Sequence, residues 1–352
     1  SSHFGSIWAQ NHPRVGMGEL PLSTPTASSE YCAGFAAAGP LSDKLFHSAR
    51  GDAAPWWACA LPFAVVTDVE LVGDLRPEAV ATAWESTFEG LRVELLAADG
   101  RVLWTSPTIG AEPGQPHHAV VTVPGRRVAK ALRVCRRPGP AATRPYLCLT
   151  SVRCFGAPCA RVLLLSRHGE ADHNIGARFC PDRGPRLTER GAVQSAELVQ
   201  QLAGLPPPEL LCVSPQLRAL ETALHARRAS AELRRLPVRL LPEAYEHAWW
   251  QECGAQLVSA AHARDCLAED PPLAAACASL PAAPALAPME DAAGARLRAQ
   301  RLLSDLRHLG QSVLLVAHSG INLDLVGVLD QRASRFIQHC QPNATVVAVG
   351  LE

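Results

Sequence analysis

Residues suited to chemistry follow short apolar runs at four places in the chain. Arg167 and His168 lie in "RVLLLSRHGE", Arg218 in "LLCVSPQLR", Glu243 in "RLLPEAYEH" and His318 in "SVLLVAHSG". Apolar runs of this length are typical of buried strands, which places the charged residues at the strand ends. Two arginines, two histidines and a carboxylate at strand ends form a set that can act on an anion.

These residue types together can cleave a phosphate monoester. Arg167 and Arg218 carry planar, permanently charged guanidinium groups that bind phosphate oxygens in pairs. A neutral His168 is a nucleophile near neutral pH, and a backbone hydrogen bond to one ring nitrogen would leave the other lone pair for phosphorus. Glu243, if desolvated enough to stay partly protonated, could donate a proton to the leaving alcohol and then activate water. The expected reaction is hydrolysis in two steps.

The elements that must position these residues belong to an α/β domain. Short unbroken apolar runs such as "RVLLL" and "SVLLVA" predict buried parallel strands, and "LTERGAVQSAELVQQL" has helical spacing with Thr188 as N-cap. The carboxyl ends of parallel strands meet at one edge of a sheet, where such folds bind ligands. We therefore expect the four strand ends to converge. The Ala- and Pro-rich segment 256–288 predicts a partly helical insertion.

The N-terminal half follows a different pattern. The stretches "VTDVELVG", "LRVELLAADGRVLW", "HHAVVTVPG" and "YLCLTSVRCFG" alternate apolar and polar residues, and turn signals such as Asp99-Gly100 separate them. This pattern predicts an antiparallel β-sandwich. The expected domains are a tail at 1–22, the sandwich at 23–156 and the α/β domain at 161–352.

Five motifs of the C-terminal half resemble those of a known family. In this order and spacing, "RHGEADHN", "PRLTERGAVQSAEL", "SPQLRALETA", "LPEAYE" and "AHSGIN" resemble the histidine phosphatase superfamily, the phosphoglycerate mutase-like enzymes. The resemblance covers roughly residues 161–352. It implies that His168 is phosphorylated transiently and that Arg167, Arg218 and His318 lie in the phosphate pocket.

The resemblance also implies two further roles. Asn174 falls on the position of an asparagine that contacts the phosphoryl group, and Glu243 on the usual proton donor. Glu246, three residues after Glu243, is the alternative for that donor. Asn343, in "HCQPNATVV", resembles a final turn that stabilises a loop.

The N-terminal half resembles the discoidin or coagulation-factor type C family, which includes galactose-binding-like and fucolectin-like modules. The residues that carry this resemblance are Ala27-Ser28-Ser29, Asp43 and Trp56-Trp57. It implies a jelly-roll sandwich and, as a partner, a glycan. We therefore expect a multidomain chain with an N-terminal all-β jelly-roll sandwich and a C-terminal α/β domain whose mostly parallel sheet is flanked by helices. For the tryptophans we favour core packing over sugar stacking. A purely structural platform is the alternative to a carbohydrate module.

Charge and composition exclude several classes of function. The 33 basic residues balance 33 acidic residues, so no overall field favours nucleic acid or an anionic membrane. No apolar run approaches the roughly 18 to 20 residues of a membrane span, and residues 1–19 lack the apolar stretch of a signal peptide. This favours the cytoplasm and leaves secretion open. The 12 cysteines show no paired spacing of a zinc site, so we expect neither metal nor cofactor.

Hydrolysis and phosphoryl transfer would use the same core residues. A mutase must retain an anionic phosphorylated sugar acid, which requires further cations near the site. Between Ala244 and Ala295 the only basic residue besides histidine is Arg264, whereas seven are acidic. This favours hydrolysis of a phosphate monoester, small-molecule or protein, although Arg178, Arg183 and Arg186 could supply cations. A catalytically silent phosphate- or glycan-binding protein is the second alternative.

Overall fold

The computed structural model describes residues 17–30, 32–73, 88, 90–109, 117–136, 146–180, 184–247, 256–330 and 341–351. Contacts divide the described chain into two units. The first comprises residues up to 96, with 102–123 and 128–158; the second comprises 97–101, 124–127 and the residues from 159 onward. In this described part, no helix has the length and apolar character needed to cross a membrane.

Within the described residues the N-terminal unit contains ten strands: β1 (Gly18–Glu19), β2 (Ser23–Ala27), β3 (Phe46–His47), β4 (Trp56–Val72), β5 (Leu91–Leu96), β6 (Val102–Thr105), β7 (His118–Thr122), β8 (Val128–Arg136), β9 (Cys148–Leu149) and β10 (Ser151–Pro158). Eight of them form one sheet along the path β1-β10-β4-β8-β5-β6, with β2 and β7 also paired to β4; β3 and β9 form a ribbon. Every one of these pairings is antiparallel.

The long strand β4 organises this unit. Its first half pairs with β2 and β8, and its second half pairs with β7 and β10. Trp57 on β4 is 0% exposed, and its indole N–H donates to the carbonyl oxygen of Ala37 at 2.7 Å. The predicted core packing is therefore confirmed for Trp57. The predicted tail reached residue 22, but β1 already pairs with β10; a strand of two residues has no period that the sequence could reveal.

The described C-terminal unit has seven α-helices and seven strands: β11 (Val162–Arg167), α1 (Glu189–Leu202), β12 (Leu210–Val213), α2 (Leu217–Ala229), α3 (Ala231–Arg235), β13 (Val238–Leu240), β14 (Gln256–Leu257), α4 (Ala260–Cys266), α5 (Pro271–Ala276), β15 (Ala285–Leu286), α6 (Ala292–His308), β16 (Val313–Ala317), α7 (Ser319–Leu329) and β17 (Val346–Gly350). The helices α4 and α5 and the β14–β15 ribbon lie in the predicted insertion, which is partly helical as expected.

The sheet of this unit has the order β13-β12-β16-β11-β17. The first four strands are parallel, and β17 is antiparallel to β11. All residues of β12 and β16 are buried, as expected for strands covered on both faces. The division into a β-rich N-terminal region and an α/β C-terminal region is confirmed, whereas the jelly-roll sandwich stays a prediction. Because four strands run in the same direction, their carboxyl ends lie along one edge of the sheet.

The loop after β11 packs closely against α1. Helix α1 begins after Thr188, whose side chain accepts a hydrogen bond from the Gly191 N–H at 3.0 Å, so the predicted N-cap is confirmed. A Cβ atom on Gly191 would lie 1.9 Å from the carbonyl oxygen of Glu170. Only glycine permits this approach, which holds the loop of residues 168–170 in place.

Candidate active site

Arg167 and His168 lie where β11 ends. The His168 N–H donates to the carbonyl oxygen of Ala317, the last residue of the neighbouring strand β16, at 3.0 Å. Nη1 of Arg167 donates to the carbonyl oxygen of Gln341 at 2.8 Å. The Ala344 N–H in turn donates to the carbonyl oxygens of both Arg167 and His168, each at 3.1 Å. The turn that precedes β17 therefore fixes the end of β11.

The imidazole of His168 is held in one tautomer. Its side chain is 1% exposed, and Nδ1 lies 2.6 Å from the carbonyl oxygen of Gly169. A carbonyl oxygen only accepts, so Nδ1 carries the proton and Nε2 carries the lone pair. The backbone hydrogen bond expected for a histidine nucleophile is present.

The electrostatic surroundings keep this ring neutral. Burial, followed by the positive charges of Arg218 and Arg167, holds the pKa of His168 well below the ordinary value of 6.5. The hydrogen bond to Gly169 acts in the opposite direction and does not reverse the shift. The Nε2 lone pair is therefore free of a proton throughout the physiological pH range.

His318 follows β16 and lies beside His168. The two ring centroids are 5.2 Å apart, and Nε2 of His318 lies 2.7 Å from Oγ of Ser214, which follows β12. Nδ1 of His318 is buried and has no hydrogen-bond partner among the described residues. Burial and the charge of Arg218 hold the pKa of His318 well below its ordinary value.

Arg218 lies in the first turn of α2 and is 1% exposed. Its Nη2 donates to Oε1 of Gln216 at 3.2 Å. The carbonyl oxygen of Arg218 accepts from the Thr222 hydroxyl at 2.7 Å, and that hydroxyl accepts from the Gly169 N–H at 3.0 Å. Helix α2 and the loop after β11 are thus joined directly, which places a second guanidinium near His168.

Asn174 and Asn343 brace the loop beside these residues. Oδ1 of Asn174 accepts from the Ala171 N–H and from Nδ2 of Asn343, both at 3.0 Å. Nδ2 of Asn343 also lies within 3.3 Å of the carbonyl oxygen of His168. Asn343 therefore stabilises a loop, as the sequence indicated. The contact between Asn174 and a phosphoryl group stays a prediction.

The two carboxylates that follow β13 lie in different surroundings. Glu243, in the 3₁₀ turn Pro242–Ala244, has a side chain that is 38% exposed and lies 3.4 Å from Nε of Arg301 on α6. The Glu246 N–H donates to Oε1 of Gln216, the same oxygen that accepts from Arg218. Its carboxylate accepts from the Gly320 N–H, two residues after His318, at 3.3 Å. The contacts of Glu246 therefore lead to the arginine and histidine cluster.

The structure describes two of the three further arginines that could supply cations to the site. Arg186 forms an ion pair with Glu221 at 2.7 Å, which raises the pKa of Arg186. Arg178 is exposed, and Arg183 lies outside the described residues. In the described chain no group of three or more histidine, cysteine, aspartate or glutamate side chains is arranged to hold a metal ion.

The family model of the histidine phosphatase superfamily (branch 1) matches residues 163–352. This match spans more than half of the chain. The chain belongs to the histidine phosphatase superfamily. The five motifs that suggested the family lie within or at the border of the matched region. The chain matches no curated protein sequence.

Solved structures similar to this histidine phosphatase chain fall into two groups. A putative α-ribazole-5′-phosphate phosphatase from Escherichia coli is 23% identical, with 54% of this chain and 90% of that one covered and a TM-score of 0.37. A fucose-binding module from Streptococcus pneumoniae is 14% identical, with 38% and 92% covered and a TM-score of 0.29. A chitosan-binding module from a Paenibacillus chitosanase/glucanase is 23% identical, with 38% and 95% covered and a TM-score of 0.29.

Three residues of the histidine phosphatase site were not singled out from the sequence. Gln216 links Arg218 to Glu246, Gln341 accepts from Arg167, and the ring of His173 lies 5.4 Å from that of His168. Gln216 lies two residues before Arg218, and His173 directly precedes Asn174. This closeness to predicted site residues was the one feature of the sequence that could have indicated them. Gln341 lies two residues before Asn343 in the quoted stretch "HCQPNATVV", but its contact with Arg167 follows from the pairing of β17 with β11.

Proposed function

We propose that this histidine phosphatase hydrolyses a phosphate monoester through a phosphohistidine at His168. The observation that carries the proposal is the buried His168 ring, protonated on Nδ1 and neutral beside two guanidinium groups. A ring in this state offers the Nε2 lone pair to phosphorus. Arg167 and Arg218 hold the phosphoryl oxygens and the charge that spreads over them in the transition state. Nδ1 of His318, buried and without a partner among the described residues, binds a further oxygen.

The reaction has two balanced steps. In the first, Nε2 of His168 forms a bond to phosphorus while the bond between phosphorus and the ester oxygen breaks, and a carboxylic acid protonates the leaving oxygen. In the second, the resulting carboxylate takes a proton from water, whose oxygen attacks phosphorus. The bond between nitrogen and phosphorus then breaks, and inorganic phosphate leaves with the ring restored.

We assign the acid to Glu243 and keep Glu246 as the alternative. Oε1 of Glu243 faces Arg301, whereas its Oε2 is buried and has no hydrogen-bond partner among the described residues. An oxygen in this position can carry the proton for the leaving group. The two carboxylate oxygens of Glu246 instead accept from the N–H groups of His247 and Gly320. The predicted contact of Asn174 with the phosphoryl group is part of the proposal.

The charges around the site favour hydrolysis over phosphoryl transfer. Arg264, in the insertion, is exposed, and Arg186 is already paired with Glu221. A phosphorylated sugar acid would therefore meet few free cations and several carboxylates. The substrate we propose carries a neutral or weakly charged group, on either a small molecule or a protein.

For the N-terminal unit we propose a structural role. The motif residues that resemble a carbohydrate module brace loops or fill the core: Ser28 and Ser29 both donate to Oδ2 of Asp52, at 2.5 and 2.6 Å. His47 is 7% exposed and stacks on Tyr146 with ring centroids 4.7 Å apart. A glycan partner is the alternative.

The test is the phosphoenzyme itself. We expect His168→Ala to abolish turnover of a panel of phosphate monoesters with chelator present, and to abolish the acid-labile label left by a radioactive substrate. The substitution removes a side chain at the pocket and leaves the apolar core of the sheet intact. His308→Ala, at an exposed position on α6, is the control and should retain both. Turnover by His168→Ala at the parent rate would refute the mechanism.

A further inference from the structure

The amide of Asn174 determines which nitrogen of His173 carries the proton. Oδ1 of Asn174 accepts two hydrogen bonds, from the Ala171 N–H and from Nδ2 of Asn343. This leaves its own Nδ2 facing Nε2 of His173, at 3.1 Å. Nδ2 can only donate, so Nε2 of His173 accepts and Nδ1 carries the proton.

This proton lies buried beside the nucleophile. Nδ1 of His173 is shielded from solvent and has no hydrogen-bond partner among the described residues. The ring centroid lies 5.4 Å from that of His168, with an angle of 51° between the ring planes. A buried donor without an acceptor costs free energy, which an incoming acceptor would recover.

The charges around His173 show what kind of acceptor would fit. Burial and the positive charges of Arg218 and Arg167 lower its pKa to about 3. The ring is therefore neutral in the unliganded protein, and the same two arginines that hold a phosphoryl group act on it. An anion held by both arginines would lie close to the ring.

We propose that His173 is a third histidine of the phosphate pocket, whose Nδ1–H donates to an oxygen of the phosphoryl group while Asn174 fixes the ring. The assignment rests on the proposed phosphatase site and adds a neutral donor to its two arginines. Because the contact is to a phosphoryl oxygen, it is made with substrate, intermediate and product alike. His173 thus raises affinity for the phosphoryl group more than it raises kcat.

The experiment measures binding of inorganic phosphate to the full-length protein by calorimetry. A hydrogen bond to a charged group is worth enough that His173→Phe should weaken this affinity by about 10- to 100-fold. KM should rise by a similar factor with little change in kcat. His173→Asn keeps an N–H at the position of Nδ1 and should recover most of the affinity. His308→Phe, at an exposed position on α6, should leave affinity and KM unchanged.

The outcomes separate this proposal from the phosphatase assignment. If the parent protein binds phosphate and turns over substrate but His173→Phe does so equally well, the proposal is wrong and the phosphatase stands. If His173→Asn is as weak as His173→Phe while both melt at the parent temperature, the donor role is wrong. Because the donor is neutral, the ratio of the parent affinity to the His173→Phe affinity should be the same above and below pH 6.5. A ratio that grows at acidic pH would require a protonated ring and would overturn the assignment. A parent protein that binds no phosphate removes both assignments.

Discussion

At the scale of single residues, the site keeps imidazoles neutral with guanidinium groups. Burial, and then the charges of Arg218 and Arg167, lower the pKa of His168. Its ring is therefore neutral at a pH at which an isolated histidine would be partly protonated. In the proposed mechanism, the charges that stabilise a bound phosphoryl group therefore also keep the nucleophile His168 neutral. Burial makes both effects stronger, because water screens buried charges weakly.

The neutral histidines make the stability of the protein depend on pH. The folded pKa values of His168 and His318 lie well below 6.5, the value expected in the unfolded chain. Below pH 6.5 the unfolded chain therefore binds protons that the folded chain does not, so the free energy of unfolding falls as the pH falls. Stability is fully present above pH 6.5 and declines toward the folded pKa values. We expect these two residues to account for a loss of about 2–3 kcal/mol between about pH 7.5 and pH 5.5.

This loss can be measured by urea denaturation of the full-length protein across that range. His168→Asn should show about half of the loss assigned to the pair. A His168→Asn variant with the same pH dependence as the parent would mean that His168 is not held neutral.

The choice between the two carboxylates is also a matter of single residues. We expect Glu243→Gln to slow the hydrolysis of alkyl phosphates by about 100-fold or more, because the alkoxide leaving group needs a proton. Aryl phosphates, whose leaving groups are stable as anions, should be slowed far less. Glu246→Gln is the matched comparison and should hydrolyse both classes at nearly the parent rate. The reverse pattern would assign the acid role to Glu246.

At the scale of elements, the sequence was informative where a strand end decides the position of a residue. Arg167, His168 and His318 follow apolar runs directly, so the parallel sheet brings them together without further information. The sequence did not predict the direction in which a side chain points within a turn. The 3₁₀ turn at Pro242–Ala244 turns Glu243 toward α6, and neither spacing nor composition indicates that turn.

The uncharged residues that contact the two arginines could not be predicted from the sequence, for a different reason. Gln216 is fully buried, although glutamine side chains are usually exposed. Its burial follows from two donors, Arg218 and the Glu246 N–H, that come from separate elements. Gln341 contacts Arg167 only because β17 lies next to β11. Such contacts depend on tertiary packing, which local patterns do not record.

A buried ion pair joins α2 to the insertion, and the effect of breaking it on stability can be measured. Arg227 is 0% exposed, and its Nε and Nη2 donate to the Asp270 carboxylate at 2.6 and 3.1 Å. Asp270→Ala would leave a buried charge without its partner, so we expect the free energy of unfolding to fall by about 3–5 kcal/mol. The neighbouring pair of Arg228 and Glu269 is largely exposed, and Glu269→Ala should cost less than about 1 kcal/mol. Equal losses in the two variants, measured by urea denaturation, would contradict this.

At the scale of the whole molecule, the balanced charge limits what long-range attraction can contribute. With 33 basic and 33 acidic residues, the chain has no net field to draw an anionic substrate from a distance. Under the proposed function, anion binding comes from the local grouping of Arg167, Arg218 and the neighbouring imidazole donors. We therefore expect discrimination among phosphate monoesters to depend on contacts to the rest of the substrate and not on its total charge.

The last prediction concerns the N-terminal unit. The motif residues Ser28 and Ser29 are engaged in the fold itself, since both donate to Asp52. The ring of His47, in the same unit, stacks on Tyr146. Burial acts to raise the pKa of Asp52, but hydrogen bonds from Ser28, Ser29 and the Ala54 N–H together lower it. We therefore expect the full-length protein carrying His168→Ala, which cannot turn over phosphorylated glycans, to bind no sugar specifically on a glycan array. His47→Ala should lower the melting temperature, because it removes the ring stacked on Tyr146. If a sugar binds the protein on the array and the free saccharide competes for that binding, the N-terminal unit is a carbohydrate module. If His47→Ala then loses the binding at an unchanged melting temperature, the sugar binds near His47.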